Sequence, residues 1–316
     1  MSAHMLTAAG FLAPYLLALA AFPLLVSCRR SPWIAPVGTC VLMMASPWLV
    51  PAESPMLRFL ASVSAAMLAL KLIDVSLDLG RRSTVTWRAH LEFLANPFTH
   101  VRRSLLSEHR PSPHENRLRV LRASFTCAAS IAALLGCFRL DWAGLPFLAE
   151  HVCKVTALML AIASGLAGAA ATWRLTGGIA RDFMDRPFVA RTPADFWRRY
   201  NRNVQQFFWQ NVFRGTRSRR TPIRTILVVF ALSALLHELL FLAAVGHVQG
   251  YQTAFFAVQG LAAAATARVK VRGRLAVLCI AGTLAFNLLT SVLFLASIHS
   301  VTPFYSQGLP TWLQGW

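Results

Sequence analysis

The chain has 316 residues, of which 56% are hydrophobic and only 14% charged. A soluble domain carries roughly a quarter charged residues, and the mean hydropathy here is +0.52. The composition excludes a soluble globular domain and predicts an all-α polytopic membrane protein, one integral membrane domain over residues 1–316. The formal net charge of +19 does not select nucleic acid, because no basic domain stands apart from the apolar stretches.

About eight stretches are apolar and approach the roughly 20 residues needed to cross hydrocarbon. In chain order they are Thr7–Val26, Trp33–Val50, Met56–Leu79, Leu118–Phe138, Val152–Trp173, Ile223–Gly246, Gln252–Ala267 and Leu275–Ile298, the seventh being the shortest. No basic n-region precedes the first, so it reads as a retained span rather than a signal peptide. No internal repeat is visible, which argues against inverted-repeat transporter folds.

Alternate loops carry 24 of the 31 basic residues. They are Arg29 and Arg30 after the first span; Arg81, Arg82, Arg88, Arg102, Arg103, Arg110 and Arg117 after the third; eleven arginines from Arg174 to Arg220 after the fifth; and Arg268, Lys270, Arg272 and Arg274 after the seventh. Eight spans with both termini outside place all of these loops in the cytoplasm, as the positive-inside rule requires. Arginine far outnumbers lysine and alanine is abundant, which points to a GC-rich bacterial genome and hence to a bacterial inner membrane. The six cysteines include no C-x-x-C pair and read as small buried hydrophobes.

Two cytoplasmic loops are long. Residues 80–117 contain Pro97, Pro111 and Pro113 and read as mostly irregular. Residues 174–222 contain a helix start at Thr192-Pro193-Ala194-Asp195, with a threonine cap and proline at the first helical position. Phe196, Tyr200, Val204, Phe207 and Phe208 then recur at helical spacing, with Arg198, Arg202 and Gln206 on another face. This predicts one amphipathic helix lying in the cytoplasmic interface. Trp197, Asn201, Gln205 and Phe208 form a stripe beside its apolar face, which lets Asn201 look inward.

His237 lies in the apolar run Ile226–Phe241, about fourteen residues into the sixth span, or roughly 20 Å from its cytoplasmic start. An ionisable residue at that depth faces a cavity or a partner more readily than lipid, and an imidazole shielded from bulk water is a good general base. Glu238 points about 100° away around the helix and is expected to orient or charge a neighbouring group. Phe241 occupies the second histidine position of H-E-x-x-H, so the zinc-protease pattern fails and no metal is expected. G-x-S-x-G, P-loop and G-x-G-x-x-G signatures are absent.

Lys71, Asp74 and Asp78 near the end of the third span read as a self-compensating ion pair at the interface, with a polar chamber wall as the sharper alternative. Asn287, with Thr283, Thr290 and Ser291, lines the same chamber or makes interhelical hydrogen bonds. His4, His90, His100, His109, His114, His151, His247 and His299 sit in loops or at span ends and read as solvated or interfacial.

The stretch Asp195-Phe196-Trp197-Arg198-Arg199-Tyr200-Asn201, followed by Ser233-Ala234-Leu235-Leu236-His237-Glu238-Leu239-Leu240-Phe241, resembles the membrane-bound O-acyltransferase superfamily, and within it the wax-synthase-like branch. That branch has D-F-W-x-R-R-W-N and a later S-G-L-x-H-E-hydrophobic-hydrophobic-F. The segment Asp185–Thr192 fits its approach to the first motif, and the specific likeness covers about residues 182–246. Tyr200 stands where the branch usually has tryptophan and Ala234 where it usually has glycine. The resemblance implies a catalytic pair, Asn201 and His237. It also implies acyl-CoA as co-substrate, with no further cofactor, and a hydrophobic long-chain or terpenoid-type alcohol as acceptor. His237 would take the alcohol proton. Asn201 would donate to the oxyanion, or position the acyl group or the imidazole. Trp197, Arg198, Arg199, Arg202 and Glu238 are the expected substrate-binding residues, the arginines for the phosphates. The alternative reading is a transporter or lipid-binding membrane protein in which His237 relays protons or binds substrate.

Overall fold

A computed structural model describes residues 2–32, 34–81, 83–103, 111–213 and 222–314. Trp33, Arg82, His109, Arg110, Arg214, Arg217, Arg219 and Arg220 lie outside the described residues. The described residues form α-helices and short 3-10 or π turns, with no strand. The helices are α1 (Ala3–Ser27), α2 (Ile34–Ala45), α3 (Pro55–Gly80), α4 (Trp87–Ala95), α5 (Pro113–Arg139), α6 (Phe147–Leu175), α7 (Pro193–Arg199), α8 (Arg202–Phe208), α9 (Pro222–Val245), α10 (Tyr251–Thr266) and α11 (Leu275–Val301).

Six of these, α1, α3, α5, α6, α9 and α11, are long and apolar enough to cross a bilayer. The other two predicted crossings are shorter. α10 has 16 residues, roughly 24 Å of helix. The second is divided: α2 has 12 residues, and Ser46–Leu49 follows as a 3-10 turn. Pro47 accounts for the change, since it cannot donate the amide that an α-helix needs there. The two pieces still return the chain from one end of the bundle to the other. Ser76 Oγ on α3 donates to Pro32 O (2.6 Å) before α2, and Arg58 Nε, near the opposite end of α3, donates to Val50 O (2.7 Å) after it.

The arginine-rich loops share one end. Arg81 reaches Gln210 O (3.4 Å), Asn96 Nδ2 donates to Ile179 O (2.8 Å), and Arg191 donates to Val271 O (2.9 Å). These bonds join the loops after α3, α6 and α10. At the other end Tyr251 Oη donates to Leu313 O (2.6 Å) and Lys154 Nζ to Phe304 O (2.8 Å). The carboxyl segment thus lies over the start of α6 and α10.

The loop of residues 80–117 is less irregular than its prolines suggest. Thr86 caps α4 by accepting from Ala89 N (3.2 Å), and Phe93 and Leu94 of α4 bury against α1 and α3. Lys71, only 2% exposed, does not pair with Asp74 or Asp78 and does not line the main cavity. Its ammonium donates to Phe93 O (2.9 Å), Leu94 O (3.1 Å) and Asn96 O (2.5 Å), carbonyls at the end of α4. Asp74 accepts from Arg102 N (2.8 Å) and Asn211 Nδ2 (2.9 Å), and Asp78 pairs with Arg102 and Arg103. The predicted ion pair is therefore an anchor for the loop. Partners elsewhere in the chain hold these side chains in place of each other.

Three of the histidines expected to be solvated or interfacial are buried: His90, His100 and His151. His90 Nε2 donates to Ala18 O (3.1 Å) while its ring stacks on Phe22. Burial, with the Lys71 charge nearby, pushes His100 down to about 3, and burial lowers His90 as well. Both are neutral packing residues. His4, His114 and His247 are exposed, and His299 is half-buried.

Candidate active site

The predicted single amphipathic helix is two. Its start is as expected: Thr192 Oγ1 accepts from Asp195 N (3.1 Å), with Pro193 at the first position. α7 then ends at Arg199, Tyr200 is extended, and Asn201 takes a left-handed conformation with φ 41° and ψ 60°. Asparagine is among the few non-glycine residues that adopt this conformation at tolerable cost, and it is also a strong cap. Its Oδ1 accepts from Val204 N (3.3 Å) and starts α8. The backbone groups freed by the break are paired: Asp185 N donates to Arg199 O (2.9 Å) and Arg202 N to Phe183 O (2.8 Å). With Oδ1 occupied by the cap, the Asn201 amide is the group left to serve a ligand.

His237 sits on α9. Its Nδ1 lies 2.8 Å from Ser233 O. A carbonyl can only accept, so the proton is on Nδ1 and Nε2 carries the lone pair. Phe256 and Phe294 flank the ring, at centroid separations of 4.5 and 5.9 Å. Packing and one backbone bond therefore fix both the tautomer and the plane of the imidazole.

His237 and Asn201 line one cavity of about 820 Å³, between α6, α7, α8, α9, α10 and α11. Its wall is mostly apolar: Val155, Met159, Leu160, Phe208, Ile226, Val229, Phe230, Phe255, Phe256, Leu284, Leu288 and Leu295 all contribute. Polar groups are few, among them Gln205, Ser233, Gln259, Asn287 and Ser291. Of the polar residues expected on α11, Asn287 and Ser291 line this cavity, Thr290 bonds to Gln259, and Thr283 bonds within its own helix. Trp197 also lines it, its indole edge against Phe230 at 5.2 Å.

A second cavity of about 470 Å³ adjoins at the basic end, lined by Arg186, Arg191, Arg198, Arg199, Lys270 and Arg272 with the single carboxylate Asp195. Arg198 lines both cavities. Asp195 orders the cluster, lying 3.1 Å from Arg199 Nε and 3.2 Å from the Arg198 guanidinium. Burial opposes its charge, but the Arg191 N–H and these guanidinium groups outweigh burial and hold the carboxyl below its usual range. Arg202 lines neither cavity.

Glu238 lies elsewhere than at the expected substrate. Its carboxylate accepts from Gln249 N (2.9 Å), Gly250 N (2.7 Å), Thr253 N (3.1 Å) and Thr253 Oγ1 (3.0 Å). It fixes the turn into α10 and so sets α10 against His237. Glu238→Ala would strand four donors, each stranded buried donor costing about 1–3 kcal/mol. The expected result is lower thermal stability of the purified protein in detergent. An unchanged melting temperature with a specific loss of turnover would overturn this structural role.

Gln259, Phe256 and Phe294 were not singled out in the sequence, nor were Arg186, Arg191, Lys270 and Arg272 as a group. Gln259 alone carried a legible signal, an amide in an apolar helix. No curated protein matches the chain. Residues 116–299, more than half of the chain, match the membrane-bound O-acyltransferase family. That stretch contains Asn201, His237 and every helix around the cavity, and it shows that the chain belongs to the membrane-bound O-acyltransferase family.

Proposed function

We propose that this protein transfers an acyl group from acyl-CoA to the hydroxyl of a hydrophobic alcohol, in the manner of the wax-synthase-like branch. One observation carries the reading: a largely apolar cavity is lined by both Asn201 and His237, whose Nε2 carries the lone pair of a base, and it meets a pocket of six cations at Arg198. His237 Nε2 removes the proton from the alcohol as its oxygen attacks the thioester carbon. The Asn201 amide donates to the oxyanion that forms. The C–S bond then breaks, and the imidazolium returns the proton to the leaving CoA thiolate. The apolar wall takes the acyl and alcohol chains and limits water, which would otherwise hydrolyse the thioester. The basic end faces the cytoplasm of a bacterial inner membrane, where acyl-CoA is supplied.

Membranes containing the protein, given labelled acyl-CoA and a panel of straight-chain and terpenoid alcohols, should form a labelled ester and release CoA. Gradient-coupled flux without CoA release would favour the transport reading instead. The cationic pocket would bind the CoA phosphates. Lys270→Glu or Arg272→Glu should raise KM for acyl-CoA about tenfold with kcat little changed, the loss expected from one charge-assisted bond. The wild-type KM should rise with ionic strength. A KM indifferent to both charge reversals would remove the phosphates from this pocket.

A further inference from the structure

A chain of hydrogen bonds in the cavity wall has its direction set at one end. The indole N–H of Trp197 can only donate, and it donates to Gln259 Oε1 at 2.9 Å. This fixes the Gln259 amide. Its Nε2 donates to Asn287 Oδ1 at 3.2 Å and to Thr290 Oγ1 at 2.8 Å. Thr290 gives its own proton to Phe286 O at 2.7 Å, so its oxygen is free to accept. The Asn287 oxygen is thereby committed to Gln259, and the amide cannot reverse without setting two N–H groups against each other. What remains to Asn287 is its Nδ2, which is buried with no acceptor among the described residues. Buried donors are rarely left in this state, and this one belongs to a residue that lines the same cavity as His237 and Asn201.

We infer that Asn287 Nδ2 is a second donor to the thioester carbonyl oxygen, and that Trp197 and Gln259 are positioning residues that hold it with the nitrogen available. The inference rests on the acyl-transfer reading above. A neutral amide donor suits an oxygen that gains charge as the alcohol attacks, because its bond strengthens in the transition state and needs no proton transfer. The arrangement also gives the tryptophan of the first motif a role beyond packing: Trp197, on α7, sets the polarity of a donor on α11.

The test uses the full-length protein in detergent and two CoA derivatives of equal chain length. One is a ketone analogue, with a methylene between sulfur and the carbonyl. The other is an S-alkyl thioether without a carbonyl. Asn287→Ala should lower kcat by about 10²–10³-fold, the usual loss for one oxyanion donor, with a much smaller rise in KM for acyl-CoA. Asn287→Asp, isosteric but lacking the N–H, should lose as much. Wild type should bind the ketone more tightly than Asn287→Ala does, while the thioether binds both equally. Trp197→Phe should reduce kcat in the same direction, since Gln259 is then free to reverse. Equal ketone binding by wild type and Asn287→Ala, or an undiminished kcat in Asn287→Asp, would overturn the assignment while leaving acyl transfer intact. Failure of wild type to bind either derivative would overturn the acyl-CoA reading and this inference with it.

Discussion

Replacing His237 with alanine is expected to lower ester formation about 10²–10⁴-fold, the usual contribution of a general base, while the protein accumulates in membranes at its normal level. The two halves of this result have separate causes. The activity falls because the Nε2 lone pair is the available base in the proposed chemistry, its ring held by the Ser233 carbonyl at 2.8 Å and by Phe256. The fold survives because, among the described residues, the side chain hydrogen-bonds only to its own helix, four residues back. Alanine is the best helix former, so α9 loses nothing in its backbone. Ester yield from labelled acyl-CoA, normalised to protein by immunoblot, checks both halves. Full activity in the variant would end the assignment of His237 as the base. Loss of the protein along with the activity would show that the imidazole has a structural role.

Hydropathy made the long helices legible, because crossing hydrocarbon demands about 20 apolar residues wherever they occur. It did not distinguish an unbroken span from α2 and its 3-10 continuation, since Ser46-Pro47 alters the hydrogen-bond pattern without altering apolarity. The candidate site was legible in part for a similar reason. His237 stood out because it is costly in an apolar helix, whereas the break at Asn201 did not, because the apolar period runs through Tyr200 and Val204 as if the helix continued. The break is favoured by the Asn201 cap together with backbone bonds to Phe183 and Asp185, and those partners lie fourteen or more residues away. Lys71 and Asp78 misled for the opposite reason. Helical spacing brings Lys71 within reach of Asp74, but spacing cannot say that α4 will offer three carbonyls to the lysine, that Arg102 N and Asn211 will hold Asp74, or that Arg102 and Arg103 will reach Asp78. The basic pocket was invisible as a unit, because its cations come from the segment before α7, from α7 itself and from the loop between α10 and α11.

Lys154→Met is expected to be the most destabilising single change outside the cavity wall. Lys154 and Glu150 lie one turn apart on α6, 2.6 Å from each other, with side chains 1% and 0% exposed. Removing one member of a buried pair costs about 3–5 kcal/mol, because the other charge stays buried without compensation. That corresponds to a fall in melting temperature on the order of 10 °C. The effect should spread to the carboxyl segment. Lys154 also holds Phe304 O (2.8 Å) and Ser306 Oγ (3.2 Å), and Glu150 accepts from Ser306 N (2.6 Å). Phe304 and Tyr305 pack on Val155 and Leu295, which line the cavity. Loosening that cover should admit water, so, on the proposed reaction, the surviving protein should release more free acid per ester formed than wild type does. The double variant Glu150→Gln with Lys154→Met separates charge from packing. Removing both charges leaves an amide that can still meet Ser306 N, and replacement of a whole buried pair is often close to neutral. The double variant should therefore recover most of the lost melting temperature and the wild-type ratio of ester to free acid. If it is as unstable as Lys154→Met alone, the lysine acts through its contacts with Phe304 and Ser306 rather than by compensating the glutamate.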